Sequence, residues 1–169
     1  EAKYALLLTK SADKAYIRHT SDSTIKRALT YYESNGSTAE LAEAQYYMGS
    51  VYRDMYDAPK AVIWYNKAIE TAQKDEELKK SILLARIYSQ LSELYDYQFN
   101  YTASLDAIRK AYGIKEMNRK VDATALHDIA SSFHKCGEID SAMLYYKRCL
   151  LHIEGNNRMR EDLRYLGVM

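Results

Sequence analysis

The sequence predicts an all-α fold in which antiparallel helix pairs stack into a solenoid. Two observations predict it: apolar residues recur at helical spacing along the chain, and two short motifs recur three times at a fixed separation. A single proline among 169 residues leaves room for long helices. We therefore expect about nine helices in one solenoid domain that covers residues 1–169.

Composition and charge narrow the class of function. Hydrophobic residues make up 47% of the chain, which suits a folded domain. The 24 Lys and Arg balance 23 Asp and Glu, so no positive excess favours a nucleic acid or an anionic membrane. No apolar run approaches the roughly 18 residues of a membrane span. We expect a soluble segment that binds a protein or peptide, without nucleic-acid binding or membrane insertion.

Residues 1–36 are predicted to form a divergent helix pair, with helices near 2–17 and 23–34. Two apolar stripes at helical spacing support it: Tyr4, Leu7, Leu8 and Ala12 form the first, and Ile25, Ala28, Leu29 and Tyr32 form the second. The connection between these two helices is longer than the connections predicted later in the chain.

The recurring motifs occupy the centre of the chain, and each is built around a small residue. The first motif has Gly49, Ser92 or Ala130 at this position, and the second has Ala61, Ser104 or Ala142 twelve positions later. Antiparallel helices come close only where small residues face each other. We expect repeats at 37–74, 75–116 and 117–155, with helices near 38–55, 58–73, 76–98, 101–116, 119–135 and 139–153.

In the first copy the motifs read Gln45-x-x-Met48-Gly49-x-x-Tyr52 and then Ala61-x-x-x-Tyr65. This pattern resembles the tetratricopeptide repeat, W-x-x-L-G-x-x-Y followed by A-x-x-x-F, and the resemblance covers roughly residues 42–169. It implies a right-handed α–α superhelix. Two features depart from the family: the motifs recur after 43 and 38 residues, and Gln45, Tyr88 and Leu126 replace the usual Trp. The long repeats resemble those of bacterial signalling regulators.

The end of the sequence repeats the first motif once more, as Leu163-x-x-Leu166-Gly167. We expect residues 156–169 to be the first helix of a truncated repeat, with the helix near 158–169. A helix pair cannot bury both of its faces alone. An apolar strip near the C-terminus is therefore predicted to be exposed, formed by Ile139, Met143 and Tyr146 together with Leu163, Leu166 and Val168. We expect this strip either to be covered by self-association with a neighbouring copy or to be the most mobile part of the structure.

Residues typical of helix boundaries support this division. Ser37-x-x-Glu40 has the form of a capping box, and Asp57 precedes Ala58-Pro59. Acidic residues at 75–77 predict a helix start. Four glycines are placed at predicted helix ends: Gly36, Gly113, Gly137 and Gly155.

The sequence contains no recognisable catalytic or metal-binding pattern. His127 and His134 share a predicted helix face, but seven residues at about 1.5 Å each separate them by roughly 10 Å. Cys136 and Cys149 have no metal-ligand spacing, and no phosphate-binding glycine loop or nucleophile motif is present. We expect no enzyme activity, no cofactor and no metal.

The family resemblance implies that the first helix of each pair lines a concave, partner-binding face. Its groove-facing positions would be Tyr46, Ser50, Arg53, Asp54, Ser89, Glu93, Asp96, Tyr97, His127, Ser131, His134, Lys135 and Arg164. Aromatic, polar and charged side chains together suit a peptide or partner domain. The alternative is a face that is only a hydrated surface. The Lys and Asn clamp of some chaperone adaptors is absent from these positions, which disfavours that kind of adaptor.

Three functions compete. The first is a sensory or regulatory segment of a larger bacterial signalling protein, either the periplasmic part of a membrane-anchored regulator or a cytoplasmic segment. The second is a free-standing assembly scaffold. The third and remote one is an enzyme with a helical-repeat fold, which would need a cluster of acid, base or nucleophile that the sequence does not show.

Overall fold

The structure is a computed structural model that describes the backbone of residues 1–165 and the side chains of residues 1–155. Within this range the chain forms eight α-helices and one 3-10 helix, Leu78–Lys80, and no β-strand. The α-helices are α1 (Ala2–Lys14), α2 (Ser23–Asn35), α3 (Thr38–Asp54), α4 (Ala58–Ala72), α5 (Ile82–Tyr97), α6 (Tyr101–Met117), α7 (Ala123–Lys135) and α8 (Ile139–Tyr165). The predicted all-α fold is confirmed.

The helices pair in chain order, α1 with α2, α3 with α4, α5 with α6, and α7 with α8. Each pair packs on the next through contacts of α2 with α3, α4 with α5, and α6 with α7. The result is an α–α superhelix. Its apolar core consists of two clusters that both include residues of α6, and Tyr88 on α5 packs against both of them.

The small residues lie where the two helices of a pair approach each other. The hydroxyl groups of Ser92 and Ser104 are hydrogen-bonded at 2.8 Å and both residues are buried. At Gly49 the close approach involves an aromatic ring instead of a second small residue. A Cβ atom at this position would lie 2.6 Å from two ring carbons of Tyr65. The group nearest to Gly49 is thus the Tyr65 ring, one helical turn beyond the predicted partner Ala61.

The first helix of every pair ends in the same way, seven positions after its small residue. At that position the backbone is left-handed, and the residues are Tyr16, Tyr56, Phe99 and Gly137, with φ of 55°, 60°, 58° and 78°. The next amide donates to the carbonyl five residues earlier, as in the 2.9 Å bond from Asp57 to Tyr52. This is the Schellman motif. Counting back from Tyr16 places buried Thr9 at the small-residue position of α1.

Side-chain caps begin several helices. Ser37 and Glu40 form the predicted capping box at α3, in which the Glu40 carboxylate accepts the Ser37 amide hydrogen bond at 3.0 Å. The Asp57 carboxylate accepts the Lys60 amide at 3.2 Å and begins α4, as predicted. These bonds satisfy amide groups that a helix leaves unpaired at its N-terminus.

Four predicted helix boundaries are wrong. α7 begins at Ala123 rather than near residue 119, because the Asp122 carboxylate accepts the Ala125 amide at 2.8 Å and caps the helix there. α1 ends at Lys14 rather than near residue 17, because the Schellman turn at Tyr16 follows directly. α5 begins at Ile82 rather than near residue 76, because the Asp75 carboxylate binds two following amides and starts the separate 3-10 helix. Gly113 lies inside α6 and not at a helix end.

The predicted break near residue 155 is also wrong. α8 is continuous from Ile139 to Tyr165, so the helices expected at 139–153 and 158–169 are joined, and eight α-helices are described where nine were expected. A glycine inside a helix costs about 1 kcal/mol, which does not by itself end one. Leu166 and Gly167 of the repeated end motif lie outside the described residues, as do Val168 and the side chain of Leu163.

The predicted apolar strip on α8 is exposed at Ile139 and Met143 but not at Tyr146, which is half-buried against the core that α6 and α7 share with α8. Met143 and Leu150 are 65% and 61% exposed, whereas the equivalent residues of α6, Leu105 and Tyr112, are 7% and 5% exposed because α7 covers that helix. Ile139 and Ile153 share the same stripe and are also exposed. α8 therefore presents a face that the solenoid buries in its interior pairs.

We expect Gly49→Ala to destabilise the protein by about 1 to 3 kcal/mol, because the new methyl group would overlap the buried Tyr65 ring. Gly113→Ala is the matched control. It also lies inside a helix, but no atom lies within 4 Å of its added Cβ, so a gain of about 0.5 to 1 kcal/mol is expected. Urea denaturation measures both. A Gly49→Ala variant that is more stable than the wild type would contradict the close packing of Tyr65 on Gly49.

Candidate functional site

A groove of about 1000 Å³ runs along α1, α3 and α5, the first helices of three successive pairs. Its lining also includes the turns that end α1 and α3. The lining residues are Asp13, Lys14, Tyr16, Arg18, Tyr46, Tyr47, Arg53, Asp54, Tyr56, Ala58, Arg86, Gln90, Glu93, Leu94 and Tyr97. This groove is the candidate site.

The structure places five of the predicted residues in this groove: Tyr46, Arg53, Asp54, Glu93 and Tyr97. Their exposure differs strongly. Tyr46 is buried and its ring centroid lies 5.8 Å from that of Tyr65, so it forms part of the wall. Burial raises the pKa of Tyr46. Tyr97 is 82% exposed and is free to contact a partner.

The other predicted residues lie elsewhere. Ser50 is fully buried, with its hydroxyl 3.3 Å from the Tyr65 hydroxyl, and belongs to the core instead of the groove surface. Asp96 and Lys135 form an ion pair between α5 and α7. Ser89 and Ser131 are half-buried outside the groove lining.

The histidines on α7 are not part of the groove. His127 is exposed, with its ring centroid 5.9 Å from that of Tyr146 on α8 and its Nδ1 3.6 Å from Asp128. His134 is exposed near the end of α7. The side chain of Arg164 lies outside the described residues. The predicted site therefore separates into a groove near α1, α3 and α5 and scattered polar residues further along.

Arg53 holds the three first helices of the groove together. Its Nη2 donates to Asp13 Oδ1 on α1 at 2.9 Å and to Asp54 Oδ1 on α3 at 2.8 Å. Its Nη1 donates to Gln90 Oε1 on α5. One guanidinium thus bridges three successive helix pairs. Planar forked donors suit this role better than an ammonium group.

The connection between α1 and α2 is fastened to the end of α3. The His19 amide donates to Asp54 Oδ2 at 3.2 Å, and His19 Nδ1 lies 2.7 Å from the same oxygen. Arg18 Nε donates to the Asp54 carbonyl at 2.7 Å, and its guanidinium stacks 3.9 Å from the Tyr56 ring centroid. Burial acts to raise the pKa of Asp54, but the bonds from His19 and Arg53 outweigh it and lower that pKa.

Glu93 occupies the opposite wall of the groove. Although its side chain reaches solvent, the surrounding protein displaces part of its water and raises the pKa of the carboxyl group, while Arg53 opposes this rise. Gln90 Nε2 donates to Glu93 Oε2 at 3.2 Å. Glu93 makes no ion pair with a described side chain.

Several groove residues escaped the sequence reasoning. Lys14, Arg18 and Arg86 are exposed and line the groove. Arg86 lies six positions before Ser92, beyond the groove-facing positions that the family pattern implies. Lys14 and Arg18 belong to the first helix pair, in which the sequence motif is too divergent to define groove-facing positions. The recurrence of an aromatic residue seven positions after the small residue, at Tyr56 and Phe99, was a signal that could have identified the turns.

The described side chains contain no group of three His, Cys, Asp or Glu residues arranged to hold a metal ion. Cys149, predicted to be core, is buried with its Sγ 3.3 Å from the Ala123 carbonyl oxygen. Among residues 1–165, no helix combines the length and the apolar character that crossing a bilayer requires.

Comparisons with known proteins agree with this architecture. Models of the tetratricopeptide repeat family match residues 40–117 and 123–151. The structure is similar to BtubC (BKLC) from P. vanneervenii, with a TM-score of 0.79 and 16% identity over 92% of this chain and 64% of that one. It is also similar to MamA, with a TM-score of 0.70 and 20% identity over 94% and 81% of the two chains. At these identities the likeness shows the fold alone. No curated protein sequence matches.

We expect the Asp54 cluster to contribute stability that is lost in acid. The pKa of Asp54 is lowered from its ordinary 3.8, so its contribution is complete above that value and disappears as the pH falls through the lowered pKa. The difference in unfolding free energy between the wild type and Asp54→Asn should therefore stay constant near neutral pH and shrink as the pH falls below about 4 and through the lowered pKa of Asp54. Urea titrations across this range measure it. A constant difference would show that Asp54 is not coupled to His19 and Arg53.

Proposed function

Because the chain belongs to the tetratricopeptide repeat family, we propose that it binds a peptide or a partner domain in the groove of α1, α3 and α5. Proteins of this family generally act as non-enzymatic interaction scaffolds, and the chain is accordingly a protein–protein interaction module. The finer proposal concerns the site and the kind of polypeptide that it holds.

One observation carries the proposal, the convergence of exposed tyrosines on one concave surface. Tyr16, Tyr56 and Tyr97 are 97%, 79% and 82% exposed, and all three line the same groove. Tyrosine offers a large apolar ring and a polar hydroxyl at little cost in side-chain entropy, which is why it is enriched in binding hot spots. These rings contribute little packing to the fold and are available to a partner.

The groove supports binding better than catalysis. Its buried charges stabilise the fold, since Arg53 binds Asp13 and Asp54, and Asp54 binds His19. An enzyme would need an acid, base or nucleophile directed toward a substrate. We therefore propose no catalytic role, and a helical-repeat enzyme remains the remote alternative.

We also propose that this module is the sensory or regulatory segment of a larger bacterial signalling protein. The long helices support this, because α3 and α6 contain 17 residues each. A free-standing assembly scaffold is the alternative, and the proposed division into repeats at 37–74, 75–116 and 117–155 suits either. Reading the full gene product separates them: a transmembrane helix with a kinase or DNA-binding domain supports regulation, and further repeats alone support a scaffold. The segment would be periplasmic in the first case or cytoplasmic otherwise.

We expect groove-dependent peptides in a selection from a phage-displayed library of random twelve-residue peptides. Binding of the selected peptides should weaken by at least about tenfold in Arg86→Glu and in Tyr97→Ala, because both side chains lie exposed in the groove. Arg27→Glu is the matched control, an exposed arginine on α2 outside the groove lining. Fluorescence anisotropy measures the affinities. Selected peptides that bind all variants equally would place the site elsewhere.

We further propose self-association through the exposed stripe of α8. Met143→Glu with Leu150→Glu should reduce any dimer or higher species seen by sedimentation velocity, because two charges would face the partner surface. The melting temperature should change little, since both side chains are mostly exposed. Lys147→Glu, another exposed change on α8, is the control. An unchanged sedimentation profile for the double variant would reject this role for the stripe.

A further inference from the structure

We propose that the groove holds an extended acidic segment of a partner polypeptide, with its carboxylates on Lys14 and Arg86 and its backbone across the aromatic turns at Tyr16 and Tyr56. This inference rests on the proposed function and specifies the chemistry of the partner. Two features carry it: the distribution of charge in the groove and the exposed aromatic rings at the turns that line it.

The acidic groups of the groove are largely engaged by the protein itself. The Asp13 carboxylate accepts from Arg53 at 2.9 Å, and the two Asp54 oxygens lie 2.8 Å from Arg53 and 2.7 Å from His19. Glu93 accepts a hydrogen bond only from the neutral Gln90 amide and forms no ion pair among the described side chains. One unpaired carboxylate in the groove is therefore outnumbered by three cations that no described carboxylate neutralises, Lys14, Arg18 and Arg86.

The basic groups, in contrast, are open to a ligand. Lys14 and Arg86 are exposed and make no hydrogen bond or ion pair with the described side chains. Arg18 donates to a neutral carbonyl and stacks on Tyr56, so no carboxylate neutralises its charge. An anion in such a partly enclosed site interacts more strongly with cations than in bulk water. The available charge therefore favours carboxylates.

The aromatic turns are the second feature. A bulky residue with positive φ is strained, and glycine relieves the strain, as Gly137 does in the fourth turn. The first three turns nevertheless carry Tyr16, Tyr56 and Phe99, whose rings are mostly exposed and do not repay the strain by burial. The same left-handed turn ends α6 at Arg119, with φ of 53°, away from the groove, so the conformation is an ordinary helix end. Tyr16 and Tyr56 differ from Arg119 because their rings line the groove with most of their surface exposed. These rings are suited to contacts with a partner.

The arrangement of the turns favours an extended segment. The turns follow one another along one edge of the solenoid, because each ends the first helix of a successive pair. An extended chain rises about 3.3 Å per residue. A segment of twelve residues therefore spans roughly 40 Å and can contact successive turns.

Three synthetic fluorescein-labelled peptides of twelve residues test the charge. They share a Gly-Pro-rich sequence and differ only in having Glu, Gln or Lys at four positions. The Glu peptide should bind at least about tenfold more tightly than the others at low ionic strength, and added NaCl should weaken it. Arg86→Glu should weaken the Glu peptide by about tenfold and strengthen the Lys peptide, while Arg27→Glu leaves both unchanged.

A second variant tests the turns without endangering the fold. Tyr56→Gly removes the ring and its stacking with Arg18, but glycine suits the positive φ and offsets that loss, so the melting temperature should change little. Its affinity for the Glu peptide should nevertheless drop. Tyr56→Phe keeps the ring and should retain most of the affinity. Equal affinity for Tyr56→Gly and the wild type would remove the turns from the site.

The outcomes separate this inference from the proposed function. If the Glu peptide binds no more tightly than the Gln and Lys peptides, the inference is overturned. Groove-dependent library peptides of other composition would then leave the proposed function intact. If the library yields no groove-dependent peptide, the proposed function fails and the inference fails with it.

Discussion

The close approach of the two helices in each pair is the constraint on which the fold depends. Two kinds of contact allow the helices to approach closely. Ser92 and Ser104 form a hydrogen bond in one pair, and the Tyr65 ring packs over Gly49 in another. In each of the last three pairs a left-handed turn follows the small residue of the first helix by seven positions, at Tyr56 for Gly49. Because the exposed Tyr56 ring lines the groove, the helix crossing and the edge of the groove are separated by a fixed number of residues.

Polar contacts between pairs add to the apolar packing that shapes the groove. Arg53 contacts Asp13 on α1, Asp54 on α3 and Gln90 on α5, so one side chain links three first helices. A partly buried arginine is stable only when its donors are satisfied, and here the acids of the groove satisfy them. A groove that is formed before binding loses less conformational entropy when a partner enters.

The sequence allowed the repeats, the helix pairs and most caps to be predicted, because these depend on local spacing that one chain records. The position of Ser50 was not predictable in the same way. Counting from the motif placed it on the concave face, but α1 and α4 both pack on α3 and its hydroxyl meets Tyr65. The role of Arg86 and the fastening of His19 to Asp54 depend on contacts between pairs, which periodicity does not encode. The helix end predicted at Gly155 was wrong because a glycine weakens a helix without necessarily ending it.

The connections between helices differ in length, and this difference indicates where the chain can accept inserted residues. The turns within the last three pairs, residues 55–57, 98–100 and 136–138, each have three residues, whereas the connection from α4 to α5 spans residues 73–81 and contains its own 3-10 helix. Connections between pairs lie at the edge opposite the aromatic turns, since the helices are antiparallel. Insertions and deletions during evolution can therefore accumulate around Glu76 and Glu77, which are exposed. A reporter domain or an affinity tag placed there would leave the groove's geometry intact.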